Sequence, residues 1–110
     1  MKKILLAAFV MVAVFTSLQA QTHSYEIVPD SKAKILKGFL QRSDIEQDTS
    51  FKWFKTNYSL GSADANAVAA FKNHASEFRV IIFAGTWCED SENLLPQFYR
   101  LADKSGFSAE

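Results

Sequence analysis

The sulfur chemistry open to this chain starts at one atom. Cys88 is its only cysteine among 110 residues, and it sits in the run Trp87-Cys88-Glu89-Asp90-Ser91. Val80-Ile81-Ile82-Phe83-Ala84 precedes that run, and Gly85-Thr86 breaks the two apart. The pattern reads as a buried strand, a short turn and a thiol at the mouth of a helix. Unpaired amides and the macrodipole at a helix N-terminus favour an anion, and thiolate is the nucleophilic form of cysteine. In such settings the thiol pKa falls to about 3.5–7.5 from about 8.5. Glu89, Asp90 and Glu92 suit a helix start but repel a neighbouring thiolate, so a mild lowering, or none, is expected.

The elements that position the thiol follow from apolar spacing. Val80–Ala84 is short, rich in β-branched residues and without polar alternation, as in a strand covered on both faces. The following helix is expected from about Cys88 to Lys104, with Leu94, Leu95, Phe98, Leu101 and Ala102 on one face and Gly106 as its stop. Pro96 lies inside it and should kink it. Upstream, Ser43-Asp44-Ile45-Glu46 fits a capping box that opens a helix from Asp44 to about Asn57. Phe51, Phe54 and Tyr58 share one face of it as core, with Trp53 off the stripe. Ser62 or Asp64 caps a further helix to about Glu77, striped by Val68, Phe71, Ala75 and Phe78. Residues 21–34 are expected to be irregular or extended, and Ile35–Leu40 to form a short strand.

The first twenty residues stand apart. Lys2 and Lys3 precede an apolar run from Ile4 to Phe15, and small and polar residues lead to Ala20. This is the pattern of a secretory signal peptide cleaved after Ala20. The run is too short for the ~20 residues of a bilayer span, so no membrane attachment is expected after cleavage. The protein is then exported, to a periplasm or the extracellular space. Removing Lys2 and Lys3 leaves ten basic against twelve acidic residues, a net charge of −2. With no basic run, nucleic acid is not an expected partner. His74 and His23 have no companion ligands at metal-binding spacing, and neither metal nor cofactor is expected. An odd thiol in an oxidising compartment implies an intermolecular partner, a reactive group, or an inert buried residue.

Phe83-Ala84, Trp87-Cys88, Ser91 and Pro96 together resemble the thioredoxin family. Ser91 stands where the second cysteine of Cys-x-x-Cys would be, and Pro96 matches the helix-kinking proline. Leu94 to Tyr99 looks like the tail of the motif in exported bacterial members with a Trp-Cys-x-Asp-Ser variant. The resemblance covers residues 64–106. It implies an α/β fold, present as the N-terminal part of a thioredoxin-like domain: helices, a central strand and a kinked active-site helix. The organisation implied is a signal peptide over 1–20, an extended segment over 21–42 and a partial domain over 43–110. The remaining strands, the cis-proline loop and the last helix of that fold would lie past Glu110, so the chain is expected to be a fragment. Ile82 occupies the position where the family often has a buried carboxylate.

The implied activity is thiol–disulfide exchange through a single nucleophile, Cys88. Ser91 cannot resolve a mixed disulfide, but it can hydrogen-bond the thiolate. Trp87 and Thr86 would face substrate, and Pro96 would shape the helix. Partners would be protein or small-molecule thiols and disulfides, or a second copy linked through Cys88. Two further readings fit the same residues: a non-catalytic peptide-binding module of thioredoxin fold, and an inactive fragment.

Overall fold

A computed structural model describes residues 24–108. The signal segment over 1–20 and His23 lie outside the described residues. The architecture is mixed helix and strand. A hairpin comes first, with β1 over Ser24–Val28 and β2 over Ile35–Phe39 paired antiparallel, Ser24 opposite Phe39 and Val28 opposite Ile35. The entry expected to be irregular or extended thus contains a strand. Gly38 makes the pairing possible: its φ is +136°, and a Cβ there would come within 2.2 Å of the Ser24 carbonyl oxygen. No other residue type tolerates that approach.

Four α-helices follow: α1 over Arg42–Glu46, α2 over Lys52–Leu60, α3 over Ala65–His74 and α4 over Glu89–Ser105. A 3-10 turn over Thr49–Phe51 separates α1 from α2, so the helix expected from Asp44 to Asn57 is in fact two. Asp48 causes the break. Its carboxylate accepts from the Ser50 amide and pairs with Lys34, giving the backbone a local alternative to the helix. The cap of α1 also differs from the expected Ser43–Glu46 box. Asp44 reaches back to the amide of Gln41, which is the N-cap, while Glu46 pairs with Arg42. Asp64 caps α3 as expected, accepting from the amides of Asn66 and Ala67, but the helix ends at His74.

Helices α2 and α4 pack face to face with β2 to form the core. Leu36, Ile45, Phe51, Phe54, Leu95 and Tyr99 are buried there. The α2 stripe is as expected, with Phe54 wholly enclosed and Tyr58 packed alongside; Trp53 packs against the same cluster. On α4 the buried face turns by one residue: Leu94 is 65% exposed, and Tyr99 takes the inward place. A second aromatic group joins α3 to α4. Phe71 meets Phe78, Phe98 and Phe107 edge-on, and Phe107 stacks on Phe78 at 5.1 Å. Gly106, with φ of +71°, ends α4 in the left-handed conformation and lets the Phe107 amide return to the Ala102 carbonyl.

Charge ties the ends of the bundle. The Arg42 guanidinium grips Asp103 through both carboxylate oxygens, at 2.8 and 2.9 Å, and lies 5.0 Å from the Tyr99 ring centre. Tyr58 donates to the same carboxylate at 2.7 Å. Burial pushes the Asp103 carboxyl up, but the Tyr58 and Arg42 hydrogen bonds outweigh it and hold the group below its usual value.

Pro96, fully buried in α4, has no amide to give the carbonyl of Glu92. The side-chain amide of Asn57 on α2 donates to that carbonyl instead, at 2.8 Å. The expected cost of a helix-interior proline is thereby offset by the neighbouring helix. Asn57→Ala should destabilise the fold by about 1–2 kcal/mol through the unpaired carbonyl. Chemical denaturation of the variant beside the parent checks this, and an unchanged midpoint would contradict it.

The largest departure is at Val80–Ala84. The expected buried central strand forms no strand, and among the described residues it makes no backbone–backbone hydrogen bond. Ile81 and Phe83 are 81% and 94% exposed. The β1–β2 hairpin is the only sheet among the described residues, and it does not reach this segment. With no neighbouring strand to satisfy its backbone, a strand-forming sequence remains single.

Candidate functional site

The thiol stands where its sequence context places it. Cys88 is the N-cap of α4, with extended φ and ψ of −97° and 121°, and its carbonyl accepts the first helical bond from Glu92 at 2.9 Å. Glu89, Asp90 and Glu92 occupy the first turn, the end of a helix that favours acids. The residue is half-buried, so its sulfur is within reach of solvent.

A tight turn leads into it. The amide of Cys88 donates to the Gly85 carbonyl at 3.0 Å, and the amide of Gly85 donates to the Ser91 hydroxyl at 3.0 Å. A Cβ at position 85 would meet the Cys88 Cβ and the Trp87 ring, each at 3.3 Å. Ser91 therefore ties the loop to the helix.

The thiol pKa is lowered from its ordinary value. The Ser91 amide is the largest cause, followed by the Ser91 hydroxyl and the Asp90 amide, all three donating to the thiolate. Desolvation and the Asp90 charge act the other way without reversing the sign. Donors at the helix mouth thus prevail over desolvation and the Asp90 charge, since a hydrogen bond to the charged form acts at contact range.

The remaining residues divide. Trp87 is 60% exposed beside the thiol, a flat apolar surface open to a ligand. Thr86 is buried. Its hydroxyl accepts from the Leu36 amide at 3.3 Å and donates to the Lys34 carbonyl at 3.2 Å, so it fastens the turn to β2. That hydroxyl is occupied by backbone, which leaves Trp87 as the open surface of the pair. Pro96 lies two turns along α4, in the core rather than at the thiol. Ile82 is 40% exposed. The clamp made by Thr86 went unread in the sequence. Its partners are about fifty residues away, and no local pattern marks them.

An open apolar groove of about 1230 Å³ runs between residues 75–84, the end of β2 and α4. Neither Trp87 nor Cys88 lines it, so it is separate from the thiol. Among the described residues no cluster of three His, Cys, Asp or Glu side chains could hold a metal ion. His74 instead contacts Glu77 at 3.0 Å on the surface. No described helix is long and apolar enough to cross a membrane. Comparison with protein-family models, curated proteins and solved structures finds no match to this chain.

Proposed function

We propose that this chain is an exported, thioredoxin-like thiol–disulfide exchange protein working through Cys88 alone. The observation that carries the reading is the reachable sulfur at the α4 N-cap, with its pKa drawn down by the donors of Ser91 and Asp90. The resemblance around Trp87, Cys88, Ser91 and Pro96 supports it.

The step is a displacement at sulfur. The Cys88 thiolate attacks one sulfur of a partner disulfide, forming a new S–S bond as the old one breaks. The departing partner thiolate takes a proton from water. A second thiol, from the partner or a small molecule, then attacks the mixed disulfide and frees Cys88. No net oxidation falls on the chain over the cycle. Ser91 stabilises the attacking thiolate and, on release, the departing one. Trp87 offers the partner's apolar residues a surface next to the reacting sulfurs.

Alkylation of Cys88 measured against pH tests the reading, together with trapping of an adduct with a small aromatic disulfide. The expected profile has its midpoint below the ~8.5 of a free thiol. Ser91→Ala should move the midpoint upward while the far-ultraviolet circular dichroism of the helices stays the same. A midpoint at or above the free value, with no adduct trapped, would favour a binding module that keeps the Trp87 surface without covalent chemistry.

A further inference from the structure

The buried hydroxyl of Thr86 stands between the thiol turn and the hairpin. It accepts from the Leu36 amide at 3.3 Å and donates to the Lys34 carbonyl at 3.2 Å. Those two groups flank Ile35, the first residue of β2, and are the pair an adjacent strand would take from it. One side chain thus does the work of a neighbouring strand. Its partners lie fifty and fifty-two residues away along the chain. Lys34 is itself held, since its ammonium pairs with Asp48, the cap of the 3-10 turn before α2.

We propose that Thr86 is a positioning residue for Cys88: its hydroxyl, clamped to β2, holds the turn over residues 85–88 so that the sulfur stays at the mouth of α4. The role rests on the thiol-exchange reading above and adds to it the residue that holds the nucleophile in place. Thr86 lies between the two ends of the bond that closes the turn, from the Cys88 amide to the Gly85 carbonyl at 3.0 Å. The Gly85 amide in turn donates to the Ser91 hydroxyl at 3.0 Å. A serine hydroxyl has one hydrogen, and with its oxygen accepting from Gly85 that hydrogen is left to donate elsewhere. There is little slack in the turn, because a Cβ at Gly85 would meet the Cys88 Cβ and the Trp87 ring at 3.3 Å. The donors of Ser91 and Asp90 that favour the thiolate weaken steeply with distance and angle. A turn freed from β2 would therefore lose part of their effect.

The hydroxyl, rather than the bulk of the side chain, makes the clamp. Thr86 and Leu36 are both buried, so valine at position 86 would keep the shape and leave the Leu36 amide and the Lys34 carbonyl without their bond to the turn. Thr86 is not a member of the apolar cluster formed by α2, α4 and β2, so that core stays in place. The exchange also alters no charge. Glu89, Asp90 and Glu92 on α4 and the Lys34–Asp48 pair remain as they are. A change at the thiol then reports its position and not a new field.

The pH profile of Cys88 alkylation in the full chain and three variants tests this, with helical circular dichroism and the urea midpoint recorded for each. Thr86→Val should move the profile upward, toward the ~8.5 of a free thiol. Thr86→Ser keeps the hydroxyl and should return the parent profile; it separates hydroxyl from methyl even if the valine variant does not fold. Asp64→Ala removes the cap of α3, a helix outside the turn and the hairpin, and should lower the urea midpoint while leaving the profile in place. A parent profile below the free value that Thr86→Val does not move would overturn the positioning role and leave the thiol-exchange reading standing. So would a Thr86→Ser profile raised to the free value, or a rise in Asp64→Ala equal to that in Thr86→Val, which would assign the effect to lost stability. A parent profile at the free value would remove the thiol-exchange reading and the positioning role with it.

Discussion

Phe54→Ala should cost about 3–5 kcal/mol, the range for truncating a fully buried phenylalanine. Phe54 is wholly enclosed, with Tyr99 at 5.8 Å and Trp53 at 6.0 Å between ring centres and the Arg42 guanidinium at 5.8 Å. The ring is the meeting point of α2 and α4, so the cavity would open where the two helices contribute most to the core. A small domain has about 5–15 kcal/mol in total, and the variant would retain little of it. Urea denaturation followed by circular dichroism checks this. Leu94→Ala on α4 is the contrast, because Leu94 is 65% exposed and its loss should shift stability by no more than about 0.5 kcal/mol. Equal effects of the two substitutions would mean that the α2–α4 contact is not the core.

Ser91→Cys should change the course of the reaction. Ser91 stands three residues after the Cys88 N-cap, on the first turn of α4, and is the leading cause of the lowered thiol pKa, so a thiol placed there is positioned to attack a mixed disulfide at Cys88. Sulfur 91 would bond to sulfur 88, the partner thiolate would leave and be protonated, and the chain would carry a new internal disulfide. The partner disulfide is then reduced by two electrons and the chain oxidised by two. Because the second attack is intramolecular, the trapped adduct should decay faster by orders of magnitude than in the parent chain. Mass spectrometry of the adduct over time provides the measurement. An adduct equally long-lived in the parent and the variant would show that residue 91 does not face the sulfur, and would remove Ser91 from the proposed site.

The two predictions rest on residues that differ in how far they can be read along the chain. The Cys88 and Asp64 caps, the α4 stop at Gly106 and the aromatic stripe of α2 depend on neighbours within one or two turns. Spacing within a helix determines such features, and the sequence displays spacing directly. Phe51 and Phe54 were identifiable as core for that reason. The lowered thiol pKa was only half legible, since the opposing acids and the favouring amides lie in the same five residues and their balance depends on geometry.

Composition and local order settled that a single thiol begins a helix, that the helix contains a proline, and that α2 buries an aromatic face. Folding decided how these were accommodated. It brought Asn57 to the carbonyl that Pro96 leaves unpaired, Thr86 to the backbone of β2, and Asp103 to Arg42 across sixty-one residues. It also left Val80–Ala84 single despite a sequence suited to a sheet centre. A strand is completed by a neighbour that may lie anywhere along a chain, whereas a helix turn carries its partners four residues away. Contacts of the second kind are written locally, and contacts of the first kind exist only once the path of the backbone is known.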